Sequence, residues 1–327
     1  MKRFRRRASI LLAVAVGAGL FYFAFRDVRF GDLLRTLGGF RKAWLPVLIA
    51  IPVLDVWIRA VRWRLLLRPV VEARTWETFQ FEAIGLAINN IVFLRLGELA
   101  RGIVAARELK ISTVSVLATI FVERMCDTAA LTALFVVGSL ALPELVDARV
   151  RMWALVLAAV LVAVLAVLAA AGDWLLGSRW GRRLETRPRL RRVFADLVAG
   201  TRALRSWKAA APVAGLSLGL WICDGTAFWV VARAMDFDPA LSFPRSITTL
   251  AAAAAGTALP AVPGAFGNFE AAIKLILMHF GYGRALALSY ATFLHLVMFA
   301  VMTTLGIVFF YRLGHTFSSL RRSLESE

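Results

Sequence analysis

The stretch Leu259-Pro260-Ala261-Val262-Pro263-Gly264-Ala265-Phe266-Gly267-Asn268-Phe269-Glu270 sets two prolines and two glycines in the middle of an otherwise apolar region. Residues of these types end helices and permit turns, so the chain is expected to reverse there. The limbs on either side, Ser246–Leu259 and Asn268–Phe280, hold 14 and 13 residues. At about 1.5 Å per helical residue each reaches roughly 20 Å, too short for a hydrocarbon core of about 30 Å. A helical hairpin that enters and leaves a membrane on one side is predicted. A second stretch has the same build: Asn89-Asn90-Ile91-Val92-Phe93-Leu94-Arg95-Leu96-Gly97-Glu98-Leu99-Ala100-Arg101. Here Phe79–Val92 and Glu98–Lys110 flank a turn at Phe93–Gly97.

Around the two hairpins lie six apolar runs of spanning length: Ala8–Phe25, Ala43–Trp63, Ser112–Leu142, Met152–Trp174, Ala209–Ala232 and Ala285–Phe310. The first follows Lys2, Arg3, Arg5, Arg6 and Arg7 and leads into Phe21–Phe25 rather than a small-residue cleavage site, so it is expected to be retained. Of the 327 residues, 60% are hydrophobic, and the mean hydropathy is +0.73. That exceeds the roughly 45–50% of soluble domains and argues against an ordinary globular enzyme. The net charge of +18 comes in short blocks between apolar runs, as in polytopic membrane proteins, and no nucleic-acid-binding signature accompanies it. Cys126 and Cys223 both sit inside apolar runs, which leaves no disulfide framework and no cysteine-based metal site. No cofactor and no metal are expected.

Basic residues collect in the N-terminal tail, at Arg59, Arg62, Arg64, Arg68 and Arg74, and at Arg312, Arg321 and Arg322. The richest block, 179–208, holds ten Lys or Arg against Glu185 and Asp196, and reads as a basic amphipathic segment on the inner leaflet. The positive-inside rule then places both termini in the cytoplasm. The resulting order is span, span, hairpin, span in residues 1–150 and again in 151–313, followed by a cytoplasmic tail, 314–327. One unit starts inside and the other outside. The expected fold is therefore an all-α polytopic membrane protein, with six full transmembrane helices and two opposed re-entrant hairpins in an inverted-topology repeat, a transporter architecture. Trp44, Trp57, Trp63, Trp153, Trp174, Trp180 and Trp207 fall near span ends, as interfacial anchors do.

Non-helical backbone at membrane depth needs protein or water to satisfy it, so a re-entrant tip implies a polar interior. Gly97, Pro260, Pro263, Gly264 and Gly267 would form the tips, and each returning limb would begin with a helix N-terminus suited to an anionic group. Arg95, Arg101, Arg124 and Lys274, with Asn90 and Asn268, are the candidate head-group contacts. Glu98, Glu270, Glu123 and Asp127 are candidates for proton coupling or charge balance. Glu123 and Asp127 share one helix face, with Arg124 three residues from Asp127. Charges in mid-span line an aqueous path or tie helices together, and here an ion-pair knot such as Arg124 with Glu98 is the alternative. Asp55 and Arg59 read as a span-end pair, and Asp224 as a weaker cavity candidate. His295 reads as a proton relay or a packing histidine, while His279 and His315 lie near span ends and carry no signal.

Arg62-Trp63-Arg64, Gly97-Glu98 with Arg101, Glu123-Arg124 with Asp127, and Pro260 through Pro263-Gly264, Gly267 and Glu270 together resemble the membrane domain of the lysylphosphatidylglycerol synthase family over about residues 8–313. Many members carry a proline shortly before the position of Arg95, where this chain has Phe93-Leu94. The resemblance implies lipid handling, since the domain is thought to move an aminoacylated lipid to the outer leaflet. The separate synthase domain of full-length members is expected to be missing from this chain. The implied function is a bacterial inner-membrane lipid translocase, not an enzyme, acting on an anionic phospholipid or polyprenyl-phosphate-type lipid. An accessory subunit of an envelope glycosyltransferase or lipid-modifying enzyme is the alternative. A membrane-embedded enzyme has less support, because no nucleophile–base pair or H-E-x-x-H spacing stands out. No phosphate-binding loop of the G-x-x-x-x-G-K-[ST] type is present either.

Overall fold

A computed structural model of the chain describes residues 22, 31, 38–92, 96–178, 186–237, 239–259 and 262–314. The expected first span (Tyr22 apart), Arg95, Pro260, Trp180, His315 and nearly all of the expected tail lie outside the described residues. All the regular structure among the described residues is helical. A 3-10 turn at Lys42–Trp44 leads into α1 (Leu45–Leu67), followed by α2 (Thr75–Ile91), α3 (Gly97–Glu108) and α4 (Thr113–Leu140). Then come α5 (Ala148–Gly177), α6 (Pro188–Thr201), α7 (Trp207–Ala234), α8 (Phe243–Ala258), α9 (Asn268–His279) and α10 (Arg284–Arg312).

Among the described residues, four helices are long and apolar enough to cross a membrane: α1 with its leading turn, α5, α7 and α10. Helix α4 matches them in length at 28 residues, but Glu123, Arg124 and Asp127 interrupt its apolar run. Helix α5 buries little beyond Ala158, Leu165, Ala169 and Gly172, and turns a broad valine- and leucine-rich surface outward. In water such a surface would be costly, whereas in hydrocarbon it is the solvent-matched face. Trp153, Trp174 and Trp207 stand exposed near helix ends, in keeping with interfacial anchoring, but Trp63 does not: it is fully buried.

The short helices come in two packed pairs. Helices α2 and α3 have 17 and 12 residues, and α8 and α9 have 16 and 12. The sequence-predicted limbs begin three to four residues late at Phe79 and Ser246, whereas the returning limbs, expected from Glu98 and Asn268, begin at Gly97 and Asn268. The division expected at residue 150 lies inside the first turn of α5, because Asp147 caps that helix by accepting the Arg149 N–H at 2.7 Å. At the second turn, Pro263–Ala265 forms a 3-10 turn, with Gly264 at φ +70° and Gly267 at φ +88°. These are left-handed conformations that glycine adopts without steric cost.

The packing has a repeating plan. Helix α1 contacts α2 as α7 contacts α8; α2 contacts α3 as α8 contacts α9; and α3 contacts α4 as α9 contacts α10. Across the molecule, α2 lies on α10 as α8 lies on α4, and α1 crosses α7. Two apolar cores result. One gathers Val56, Trp63, Leu66, Ile84, Val104 and Ile120; the other gathers Phe228, Val231, Leu250, Ile273, Tyr290 and Leu294. Helix α1 passes from one to the other, with Leu48 and Ile51 in the second core and Val56 onward in the first. Its charged residues Asp55, Arg59 and Arg62 fall at and just past this changeover.

Candidate functional site

The charged residues of five helices meet in one buried network. From α1, Arg62 donates to Glu123 Oε1 at 2.8 Å, to Asp127, and to Ser217 Oγ of α7 at 3.1 Å. Arg101 of α3 pairs with Glu82 of α2, donates to Glu123 Oε2 at 2.8 Å, and lays its guanidinium over the Trp63 ring at 4.4 Å. Trp63 in turn donates its indole N–H to Thr119 Oγ1 at 3.1 Å. Arg59 donates to Asp55 at 2.8 Å and lies 3.6 Å from Asp224 and 3.8 Å from Asp127. Arg124 reaches Glu123 and Asp127, each at 3.1 Å.

Arginine suits such a knot, because its planar fork serves two carboxylates at once. Desolvating these groups is costly, and mutual pairing offsets that cost. The offset is incomplete. Four guanidiniums face five carboxylates (Asp55, Glu82, Glu123, Asp127 and Asp224), so the fully ionised network carries one excess negative charge. Asp55 Oδ1, Asp224 Oδ1 and Glu82 Oε1 are buried without a hydrogen-bond partner.

One side of the network opens to a polar cavity of about 70 Å³, lined by Glu82, Asn89, Glu98, Arg101 and Arg124 together with Gly85 and Gly97. Arg124 is the accessible cation here, with its side chain 40% exposed against 0% for Arg62 and 3% for Arg101. The hairpin limbs close behind the cavity because Gly97 lies against the Gly85 carbonyl, where a Cβ would collide, and Gly97 N–H donates to Asn89 Oδ1 at 2.7 Å. The other side adjoins an apolar cleft of about 350 Å³ between α4, α5 and α7, lined by small and aliphatic side chains such as Ala130, Ala133, Val162, Leu165 and Ala214. Ser217 belongs to both: it lines the cleft and accepts from Arg62.

The second helix pair carries a smaller polar centre. Glu270 Oε2 accepts the Gly267 N–H at 2.7 Å, and Oε1 lies 2.6 Å from His295 Nδ1 of α10. His295 Nε2 lies 2.8 Å from the Gly264 carbonyl oxygen. Asn268 spans its own turn, donating to the carbonyls of Gly256 at 3.3 Å and Leu259 at 3.4 Å. The turn Pro263–Ala265 packs on α2 of the first pair.

The family model for the lysylphosphatidylglycerol synthase TM region matches residues 10–306. The chain belongs to that family. No curated protein and no solved structure matches it. Membership and the four apolar helices together make the chain a multi-pass membrane protein, with a function related to membrane lipids.

In this family member the structure brings several of the candidate residues together and sets others on different partners. Arg101, Glu123, Arg124 and Asp127 converge, and Glu98 lines their cavity. Arg124 pairs with Glu123 and Asp127, the residues of its own helix face. Asn90 faces away from the cavity and donates to Thr303 of α10 at 2.9 Å, while its neighbour Asn89 holds the hairpin. Asp55 and Arg59, read as a span-end pair, and Asp224 are buried members of the network. Glu270, Asn268 and Lys274 are buried at the second centre, and Arg95 and Pro260 lie outside the described residues. Sequence reading missed Glu82 and the central role of Arg62. Arg62 stood out only as one of a basic cluster and within Arg62-Trp63-Arg64, and Glu82 only as an acid inside the first hairpin limb.

Proposed function

We propose that this family member is a lipid translocase of the bacterial inner membrane, acting as a transporter rather than an enzyme. In this reading its termini are cytoplasmic, six helices span the bilayer, and α2–α3 and α8–α9 are re-entrant hairpins of an inverted repeat. The paired contact plan supports the repeat, since exchanging α1 to α4 for α7 to α10 maps each paired contact onto its counterpart and the α1–α7 contact onto itself.

One observation carries the lipid reading. A single charged network has a polar cavity on one side and, at Ser217, an apolar cleft on the other, so an amphipathic molecule has a polar place and an apolar place on either side of one network within the membrane region. An anionic phospholipid or polyprenyl-phosphate-type lipid would present its head group to Arg124 in the polar cavity, with Arg101 behind it. Its tail would lie in the cleft among α4, α5 and α7. Arg101, Lys274 and Asn268 would shape the polar interior, while Glu98, Glu123 and Asp127 would balance charge when no head group is bound. Envelope-lipid enzymes would be its natural partners.

The test uses purified protein in vesicles with fluorescent phosphatidylglycerol, reading lipid movement by dithionite quenching. Arg124→Gln keeps the size and polarity of a half-exposed side chain and removes its charge, so it should slow anionic lipid by about ten-fold or more, the loss expected when a charge-assisted contact goes. Arg101→Ala is a poorer probe, because it strands Glu82 and Glu123 in the interior. No movement above protein-free vesicles would favour the accessory-subunit reading instead.

A further inference from the structure

The environment of His295 fixes where one proton must be. A backbone carbonyl only accepts hydrogen bonds, so Nε2, 2.8 Å from the Gly264 oxygen, must carry a hydrogen. On the other side Nδ1 lies 2.6 Å from Glu270 Oε1, and Glu270 Oε2 is already occupied by the Gly267 N–H at 2.7 Å. A neutral imidazole protonated on Nε2 beside an ionised carboxylate would set two lone pairs against each other at that distance. The contact requires a proton between Nδ1 and Oε1, held as imidazolium and carboxylate or as imidazole and carboxylic acid. Three rings surround the imidazole: Phe266 stacked at 4.5 Å, Phe269 at 4.6 Å and Phe299 edge-on at 6.4 Å. Such a cage accommodates an imidazolium through its ring faces.

We infer that Glu270 and His295 form a proton-binding site that locks the turn of the second helix pair to α10. The single proton ties together three segments, namely the turn at Gly264, the start of α9 at Gly267–Glu270, and α10 at His295. Released to water, it leaves one negative charge and a neutral imidazole whose one remaining hydrogen can serve Glu270 or the Gly264 carbonyl but not both, so one end of the lock is lost. Because the turn packs on α2, the lock bears on the way the two helix pairs meet. Of the other charged groups on the packed elements, Lys274 lies one helical turn beyond Glu270 on α9, and Arg245 of α8 sits over the Phe280 ring. On α2, Glu77 caps its own helix and Glu82 pairs with Arg101. Helices α1 and α7 bring Asp55, Arg59 and Asp224, which face one another, and the Tyr290 hydroxyl of α10 donates to the Phe228 carbonyl. The inference deepens the translocase reading by naming the ion that would drive one hairpin, and it rests on that reading for its purpose.

The test is hydrogen–deuterium exchange of residues 262–270 in the full chain, reconstituted in phosphatidylglycerol-containing vesicles and corrected for the intrinsic rate at each pH. Protection should fall by about ten-fold or more from the acid to the alkaline end of the pH range over which the unaltered protein stays folded. His295→Gln and Glu270→Gln can each hydrogen-bond but cannot share a titrating proton, and both should flatten the profile. A flat profile in the unaltered protein would overturn the proton site even if both variants fail to fold, and so would an unchanged profile in a folded His295→Gln. Exchange needs no lipid movement. A flat profile with lipid movement would therefore leave the translocase standing, and a titrating turn without lipid movement would do the reverse.

Discussion

Arg62 has no exposed surface, yet it bonds to Glu123, Asp127 and Ser217, joining α1 to α4 and α7. Replacing it with leucine would take one arginine from each of Glu123 and Asp127 in a network that already carries one excess negative charge. Arg62→Leu should lower stability by about 3–5 kcal/mol, the cost of leaving buried charge uncompensated, and calorimetry or a thermal-shift assay in detergent would show a depressed midpoint. Adding Asp127→Asn should recover part of the loss, because the two residues interact directly. At this scale the sequence was legible where charges stood in the middle of a long apolar run, as Glu123, Arg124 and Asp127 do. It was opaque where a charge stood near the end of a run. There Arg62 and Trp63 look like interfacial residues, and only tertiary packing carries them inside. Asn89 and Asn90 make the same point: they differ by one helical step, and their neighbours decide which one holds the hairpin.

Glycine sets how closely the helices pass. A Cβ on Gly306 of α10 would meet the Ala83 carbonyl and Ala87 Cβ of α2, so the two helices touch backbone to backbone. Gly306→Ala should therefore force them apart and cost about 1–3 kcal/mol, as overpacking of a close contact does. The same substitution at Gly219, where a Cβ meets nothing within 4 Å, should be nearly neutral, and the paired thermal midpoints would check both. The turns between the short helices were readable because Pro and Gly break helices for local reasons. The contact of α2 with α10 was not readable, since a glycine inside an apolar helix says nothing about which neighbour it admits. Helix α4 shows the opposite limit: its length is that of a span, and its three charges are what set it apart from the four plainly apolar helices.

Taken whole, the molecule places two apolar cores, each drawing on helices of both groups, around a charged network, with a side cleft that reaches it at Ser217. Membership in the lysylphosphatidylglycerol synthase TM family connects this arrangement to membrane lipid, and the polar cavity and apolar cleft on either side of the network give that connection a physical form. Two spaces that serve one lipid must fail together, so blocking the tail's place should stop the head group although no charge is touched. Ala214 is exposed at the cleft wall, where a larger side chain fills the cleft without entering the packed core. The deciding measurement is the initial rate of phosphatidylglycerol movement in vesicles carrying the unaltered protein or Ala214→Trp, at matched thermal midpoints. The account predicts that filling the cleft slows movement by about ten-fold or more, the scale of losing a well-matched apolar site of a few methylene groups. A folded Ala214→Trp protein that moves lipid at the unaltered rate would contradict it.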